Sequence, residues 1–595
     1  MIHLNRPVAI SHAADLRPAP TNTWFANVVV GLLILAGFQL LLGLAQEMSA
    51  PRVAQPKLDR SLTALPAYAL LTLARGGCAY LLSLLFAIVC GTVAAHDRVA
   101  ERLLIPLLDV LQAIPVLGFL PGLVLVLVQL SPRSNLGLEI ACILMIFTGQ
   151  VWNMTFSYYA SLRGIPQSLH DVAAIEQLSR WQILRHVELP SATIGLIWNS
   201  MISMAGGWFF LTVTESFTLE HREYQLPGIG SYMNMALRDR DWVATAGAIV
   251  AMLLVIISVD QLIWRPLIVW SQRFRMEEVS GGEQEQSRLL NLLHRSSLAR
   301  WCSSSAASCL SAATRLLSSG SSRIFPSTAA WERMTNMAHR LKQLVGVVLL
   351  LALLATLIAG TMALGRALIA LPLHDPQRHH DWLTTLWALL ATSSRTTLAV
   401  VLAAAWTIPA GILIGRSPKL ARRIEGLIQI IASFPAPMLF PLVTRYLVAI
   451  GLPFSICCVL LLMLSTQWYI LFNTIAGAQT IPTDLCEVVQ VFGLSRLARW
   501  RRLYLPSVFP SVVTGLLTAT GAAWNATIVA EVVTIGSSRQ VAFGLGSLIA
   551  QATTDGDYPL ISVSVTLTAL TVVTLNQFFW KRLYRIALTR YPGAV

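Results

Sequence analysis

The chain has 595 residues, of which 55% are hydrophobic and only 12% charged, with a mean hydropathy of +0.64. A water-facing surface needs about 25% charged residues, so this composition excludes a string of soluble domains and points to a surface that faces lipid. The formal net charge of +14 fits basic cytoplasmic loops, and no Arg/Lys run alternates with aromatics as a stacking platform for nucleic acid requires.

In chain order, a polar tail (1–23) comes first. The apolar run from Trp24 to Ala45 follows; it is too long for a signal-peptide core and long enough to span a membrane. Hydropathy then places spans near 24–46, 68–95, 104–130, 137–160, 192–217 and 243–268, within a first domain, 24–270. A Ser-rich basic linker, 271–342, reads as a flexible, partly helical tether; the sharper alternative is a Leu-rich interfacial helix touching anionic lipid. Six further spans lie near 344–370, 394–415, 426–450, 454–476, 508–534 and 559–580, within a second domain, 343–584, before the tail 585–595. The expected fold is an all-α polytopic membrane protein of about twelve transmembrane helices in two homologous six-helix halves. The eight cysteines form no CxxC pair and read as small hydrophobes.

The halves are one unit written twice. Arg75, Gly91, Pro115 and Pro121 match Arg395, Gly411, Pro435 and Pro441, each 320 residues on. The offset then becomes 316: Trp152 pairs with Trp468, Pro190 with Pro506, Trp208 with Trp524, Glu215 with Glu531, Gly228 with Gly544, and Trp264 with Trp580. An even number of spans per repeat gives both halves the same orientation, related by an axis along the membrane normal. Arg and Lys concentrate in the loops after the second and fourth spans and at the C-terminus, which places these loops, the linker and both termini in the cytoplasm.

The loop after the fourth span is unusually polar. It reads `IPQSLHDVAAIEQLSRWQILRHVELP` in the first half and `IPTDLCEVVQVFGLSRLARWRRLYLP` in the second. Ser168 and Asp484 suit an N-cap with Asp171 and Glu487 three residues on. A helix should follow, break near Gln177 and Gly493, and a new helix should start at Pro190 and Pro506.

These loops resemble the EAA loop of ABC importer permeases: an acid, alanines, a glycine six residues after the acid, then Leu-Pro. The first half supplies Asp171, Ala173, Ala174, Leu189 and Pro190, with Gln177 in place of Gly. The second supplies Glu487, Gly493, Leu505 and Pro506, with Val488 and Val489 in place of the alanines. The flanking segments resemble permeases of the nitrate/sulfonate/bicarbonate/taurine group. The resemblance implies a type I importer transmembrane fold in a bacterial inner membrane. It further implies two copies of a cytoplasmic ABC ATPase seated on the loops, a periplasmic solute-binding protein, and a small anionic solute moved by alternating access. The chain has no GxxxxGK[ST] loop, so it is expected to be no enzyme and to bind no cofactor, with ATP and Mg held by the ATPase subunits.

Ionisable and bulky groups inside spans mark the expected pathway: Arg75 and Arg395 near the outer start of the second span, Glu215 and Glu531 at the outer end of the fifth, and Trp208 with Trp524 midway along it. His374, His379 and His380 read as a solvated loop rather than a metal site. The alternative is a proton-coupled secondary transporter of the major-facilitator type, which `GRSPKLARR` at Gly415–Arg423 faintly resembles.

Overall fold

The computed structural model describes residues 23–50, 58–113, 115–274, 362, 365–366, 368–369, 381–536 and 538–590. The linker beyond residue 274, the span expected at 344–370 (apart from isolated residues) and the three loop histidines lie outside these. By internal contacts the chain divides into a large unit, 40–278 and 349–595, and a smaller one, 1–39 and 279–348. Of the smaller unit only the opening of α1 (Thr23–Ser49) is described. Both repeats lie in the large unit. Among the described residues nine helices are long and apolar enough to cross a membrane, or ten if one bent pair counts as a span.

Each half is built on three long helices: α2 (Leu65–His96), α5 (Leu136–Arg163) and α8 (Leu189–Thr214) in the first, α12 (Trp382–Gly415), α15 (Phe454–Gln479) and α18 (Leu505–Ala530) in the second. The buried stripe of α2 is small: Ala74, Gly76, Ala79, Ser83, Ala87, Gly91 and Ala94. Its lipid side carries Leu81, Leu85 and Val89. α12 repeats the plan with Ala388, Ala399, Ala403, Gly411 and Gly415 buried. Lipid is as apolar as Leu, so helices in a membrane gain by close backbone approach through small residues. The first-half core forms where α5 and α8 interdigitate, around Met145, Ile146, Trp208 and Leu211.

Four features differ from the sequence expectations. The third span of each half is not one straight helix. It is α3 (Arg98–Ala113) followed by α4 (Leu120–Leu130) in the first half, and α13 (Pro418–Ser433) followed by α14 (Ala436–Ala449) in the second. The second pair is bent by 83°. Pro115 and Pro435 sit at the breaks, where proline's missing N–H and its effect on the preceding residue stop a helix. The fifth span ends early and gives way to a small hairpin, β1 (Ser216–Leu219) with β2 (Arg222–Gln225), repeated as β3 (Val532–Ile535) with β4 (Ser538–Val541).

No new helix starts at Leu-Pro. A single helical path runs from Arg180 to Thr214 and from Arg496 to Ala530. It passes through π-turns at Leu184–Glu188 and Trp500–Tyr504 just before Pro190 and Pro506. There the Leu189 N–H donates to the Leu184 carbonyl, five residues back, and Leu505 does the same to Trp500. Widening the turn accommodates a proline that has no N–H to give. Finally, Ser168 and Asp484 are not N-caps. The helices α6 (Gln167–Ile175) and α16 (Thr483–Val491) begin directly after the Ile-Pro pairs, because Pro presets the backbone for a first turn.

The tight α12–α15 seam gives a test. A Cβ on Gly415 would meet the Ile475 carbonyl and the Ala478 methyl, neither of which can swing away. Gly415→Val is therefore expected to cost about 1–3 kcal/mol, read as a lower unfolding midpoint in detergent; an unchanged midpoint would contradict the seam.

Candidate functional site

Three places in the large unit bring functional residues together: a clamp at the end of each half remote from the loops after the fourth span (its outer end), a cavity between the halves, and those two loops themselves.

The clamp recurs with the same geometry. Arg75, fully buried on α2, donates through Nη1 to Glu215 (2.9 Å) and to the Pro227 carbonyl (2.8 Å). Glu215 also accepts from the Thr72 hydroxyl (2.7 Å) and the Gly230 N–H (2.7 Å). In the second half Arg395 donates to Glu531 (2.7 Å) and to the Phe543 carbonyl, and Glu531 accepts from Thr392 (2.8 Å) and the Ser547 N–H (3.1 Å). Each clamp ties the second-span helix to the fifth and to the short outer helix, α9 (Ile229–Arg238) or α19 (Leu545–Asp555). Gly228 and Gly544 are required by space: a Cβ on either would overlap the clamp carboxylate.

The halves differ in one partner. Arg75 also makes a bidentate pair with the fully buried Glu139 (2.6 and 2.7 Å); the equivalent position in the second half is Ser455, and the Arg395 side chain is 11% exposed against 0% for Arg75. The clamp arginines and carboxylates are thus paired and enclosed rather than open to a passing solute. Trp208 and Trp524 are likewise 2% and 1% exposed and lie off the cavity between the halves.

That cavity, of about 260 Å³, is walled by both halves. Trp152 and Asn153 from α5 and Trp468 and Tyr469 from α15 line it at pseudo-equivalent positions, with Gln429 and Asn525 nearby. No Asp, Glu, Lys, Arg or His lines it. These residues were not among the expected pathway set, although the recurrence of Trp152 as Trp468 was the signal that could have found them. The seam between the halves is polar beside it. The Val116 N–H donates to Asn525 Oδ1 (2.8 Å), and Asp109 accepts from Asn576 (3.2 Å) and pairs with Lys581 (3.3 Å). At the outer rim the β1–β2 turn reaches the other half, where the N–H groups of Glu220 and His221 donate to the Thr553 and Thr554 carbonyls (3.2 and 2.9 Å) at the end of α19.

The two loops share one backbone. α6 ends with Gln177 in the left-handed region (φ 51°), and α16 ends with Gly493 in the same region (φ 59°). The Leu178 N–H donates to the Ala173 carbonyl and the Leu494 N–H to the Val489 carbonyl, the six-to-one bond of a Schellman stop. Substitution of the glycine has therefore not altered the turn. Ser179 and Ser495 cap the next helical turn through their side chains. Ala173 is buried; Asp171, Ala174 and Glu487 are exposed. Apolar side chains are exposed at matching positions: Val172 (55% exposed) with Val488 (48%), and Ile175 (78%) with Val491 (86%). Phe492 and Trp181 extend these patches.

Each loop is fastened to the end of the second-span helix at equivalent sites. His96 Nε2 lies 2.8 Å from the buried Glu188, and Arg416 stacks 4.0 Å over the Tyr504 ring. In the first half Arg163 and Tyr159 also bond Glu101, and the Arg163 guanidinium holds the Glu101 carboxyl below its ordinary pKa.

Two substitutions test this description. Arg75→Ala leaves two buried carboxylates without their cation and is expected to cost about 3–5 kcal/mol, more than Arg395→Ala, which leaves one; equal and small losses in detergent unfolding would contradict the clamps. Gln177→Gly relieves a left-handed non-glycine and should raise stability by about 1 kcal/mol, whereas Gln177→Val should lower it.

The family profile of binding-protein-dependent transport system inner membrane components matches residues 83–263 and 407–586, more than half of the chain. Among curated relatives, a nitrate import permease protein of Leptolyngbya laminosa is 28% identical over 32% of this chain and 64% of its own length. A bicarbonate transport system permease protein of Synechocystis sp. is 32% identical over 25% of this chain and 52% of its own. A taurine transport system permease protein of Escherichia coli is 28% identical over 38% of this chain and 77% of its own. The chain thus spans between half and two thirds of the length of the first two. The secondary-transporter alternative falls away with this match. The chain belongs to the family of binding-protein-dependent transport system inner membrane components and carries that family's domain twice.

Proposed function

We propose that this chain forms the whole transmembrane part of an ATP-driven importer in a bacterial inner membrane. Its two permease halves, 24–270 and 343–584, face each other across the central cavity, and each offers one cytoplasmic loop to one of two ATPase subunits. Both termini lie on the cytoplasmic side. ATP and Mg belong to those subunits, and a periplasmic binding protein delivers the solute to the outer rim. The solute is a small anion, in keeping with the nitrate and bicarbonate named for two relatives.

One observation carries the coupling. Val172, Ile175, Val488 and Val491 are exposed at equivalent places on two loops with the same left-handed stop. Apolar side chains standing in water on short helices mark surfaces made for a protein partner. Two such knobs on a pseudo-twofold suit a two-fold symmetric partner. Closure of the ATPase pair would push on α6 and α16. From there force passes through His96–Glu188 and Arg416–Tyr504 to the second-span helices and on to the outer clamps.

Affinity purification of the full-length chain from its own host tests this. A stoichiometric ATPase should co-purify with the wild type and be lost from the double variant Glu487→Arg/Gly493→Arg, which should still elute as a monodisperse membrane protein. Retention of the ATPase by that variant would overturn the assignment of the loops.

A further inference from the structure

The cavity between the halves combines two properties that together say what it holds. First, it is uncharged: no acid and no base lines it. Second, its polar groups are unevenly committed. The hydroxyls of Thr148, Ser465, Thr518 and Thr520 each donate to a carbonyl of their own helix (2.8, 3.1, 3.0 and 2.8 Å). Asn525 is held by the Val116 N–H, and Gln112 donates to Asp109. By contrast, among the described residues the side chains of Trp152, Asn153, Trp468, Tyr469 and Trp580 make no hydrogen bond. An indole N–H can only donate, a carboxamide brings two further N–H groups, and a phenol brings an O–H. Four of these five residues form two adjacent pairs related by the internal repeat, 152/153 and 468/469. These four side chains are half-buried and border the cavity, so their donors are open to a solute that supplies acceptors in place of water.

We propose that Trp152, Asn153, Trp468 and Tyr469 form a solute site that binds a small oxyanion through neutral N–H and O–H donors, with no cation in contact. The inference rests on the reading of the cavity as the import pathway of a small anion and adds the residues that hold it and the means of holding it. The volume of about 260 Å³ lies below the roughly 300–1,000 Å³ of pockets for drug-sized ligands, which suits a solute of few heavy atoms. Neutral donors also suit a transit site. A guanidinium or ammonium in contact would give stronger, charge-assisted bonds and slow release. Here the arginines that could have played that part, Arg75 and Arg395, are committed to their carboxylates. A cationic solute would meet aromatic faces but no carboxylate among the lining residues.

The test uses the full-length chain in lipid nanodiscs and follows its thermal midpoint against added solute. Sodium nitrate and sodium sulfate are compared with sodium chloride at matched ionic strength, and tetramethylammonium chloride serves as the cationic probe. At least one oxyanion is expected to raise the midpoint saturably. Trp152→Phe/Trp468→Phe, which keeps an aromatic ring at each place and removes both N–H groups, is expected to weaken the apparent affinity at least tenfold. Asn153→Leu/Tyr469→Phe, tested separately in case the first pair folds poorly, is expected to weaken it as well.

Unchanged affinity in both double variants would overturn the site. So would the absence of a saturable shift with either oxyanion, or a saturable shift with tetramethylammonium alone. In each of these cases an ATPase that still co-purifies leaves the importer reading standing, whereas its loss from the wild-type chain would sink that reading and not the site.

Discussion

A buried guanidinium that cannot be left unpaired governs the outer half of this molecule. Arg75 and Arg395 sit on apolar helices, where a lone charge costs several kcal/mol, so each must bring its acid with it. The acid, Glu215 or Glu531, comes from the fifth-span helix at the point where that helix stops. Its second oxygen takes an N–H from the outer helix, at Gly230 or Ser547. Three segments far apart in sequence are fixed by one carboxylate. The neighbouring Gly228 and Gly544 follow from the same constraint, since no side chain fits beside that carboxylate.

The second-span helix carries this clamp at one end and touches the loop after the fourth span at the other. His96 and Arg416 are the same position in the two halves, and each meets a π-turn residue, Glu188 or Tyr504. The contact is an ion pair or hydrogen bond in one half and a stacked cation in the other, so its place is kept while its chemistry differs. The same asymmetry recurs in Glu139 opposite Ser455, and in Gln177 opposite Gly493. It recurs again at the outer hairpins, where Glu220 and His221 adopt left-handed backbone that Gly536 takes up more cheaply in the other half. Carrying both halves in one chain makes such divergence accessible, because each half can change without the other changing with it.

Much of this was legible. The duplication and the polar loops follow from spacing, because the clamp and the breaks each demand a particular residue at a fixed place, and most of the described spans follow from hydropathy. Three things were not. Hydropathy averages over a window and cannot register a bend, so the breaks at Pro115 and Pro435 read as single spans although both prolines stood out in the repeat. The hairpin `SFTLEHREYQ` overlaps the expected fifth span, 192–217, only at its first two residues, and two four-residue strands are too short for a period of two to stand out. The choice between Trp208/Trp524 and Trp152/Trp468 as cavity residues depends on which side of a helix faces the other half. A helix that is apolar all round, as these are, gives a sequence no handle on that. Gln177 is the converse case: the residue argued against a left-handed stop, and the surrounding helix imposed one.

The central claim is that one chain supplies both halves of one pathway and both docking loops. Native mass spectrometry of the intact complex, released from detergent with its ATPase bound, measures this directly. The account predicts one copy of this chain with two ATPase subunits. Two copies of this chain with two ATPase subunits would contradict it, because then each chain would present a loop that drives nothing.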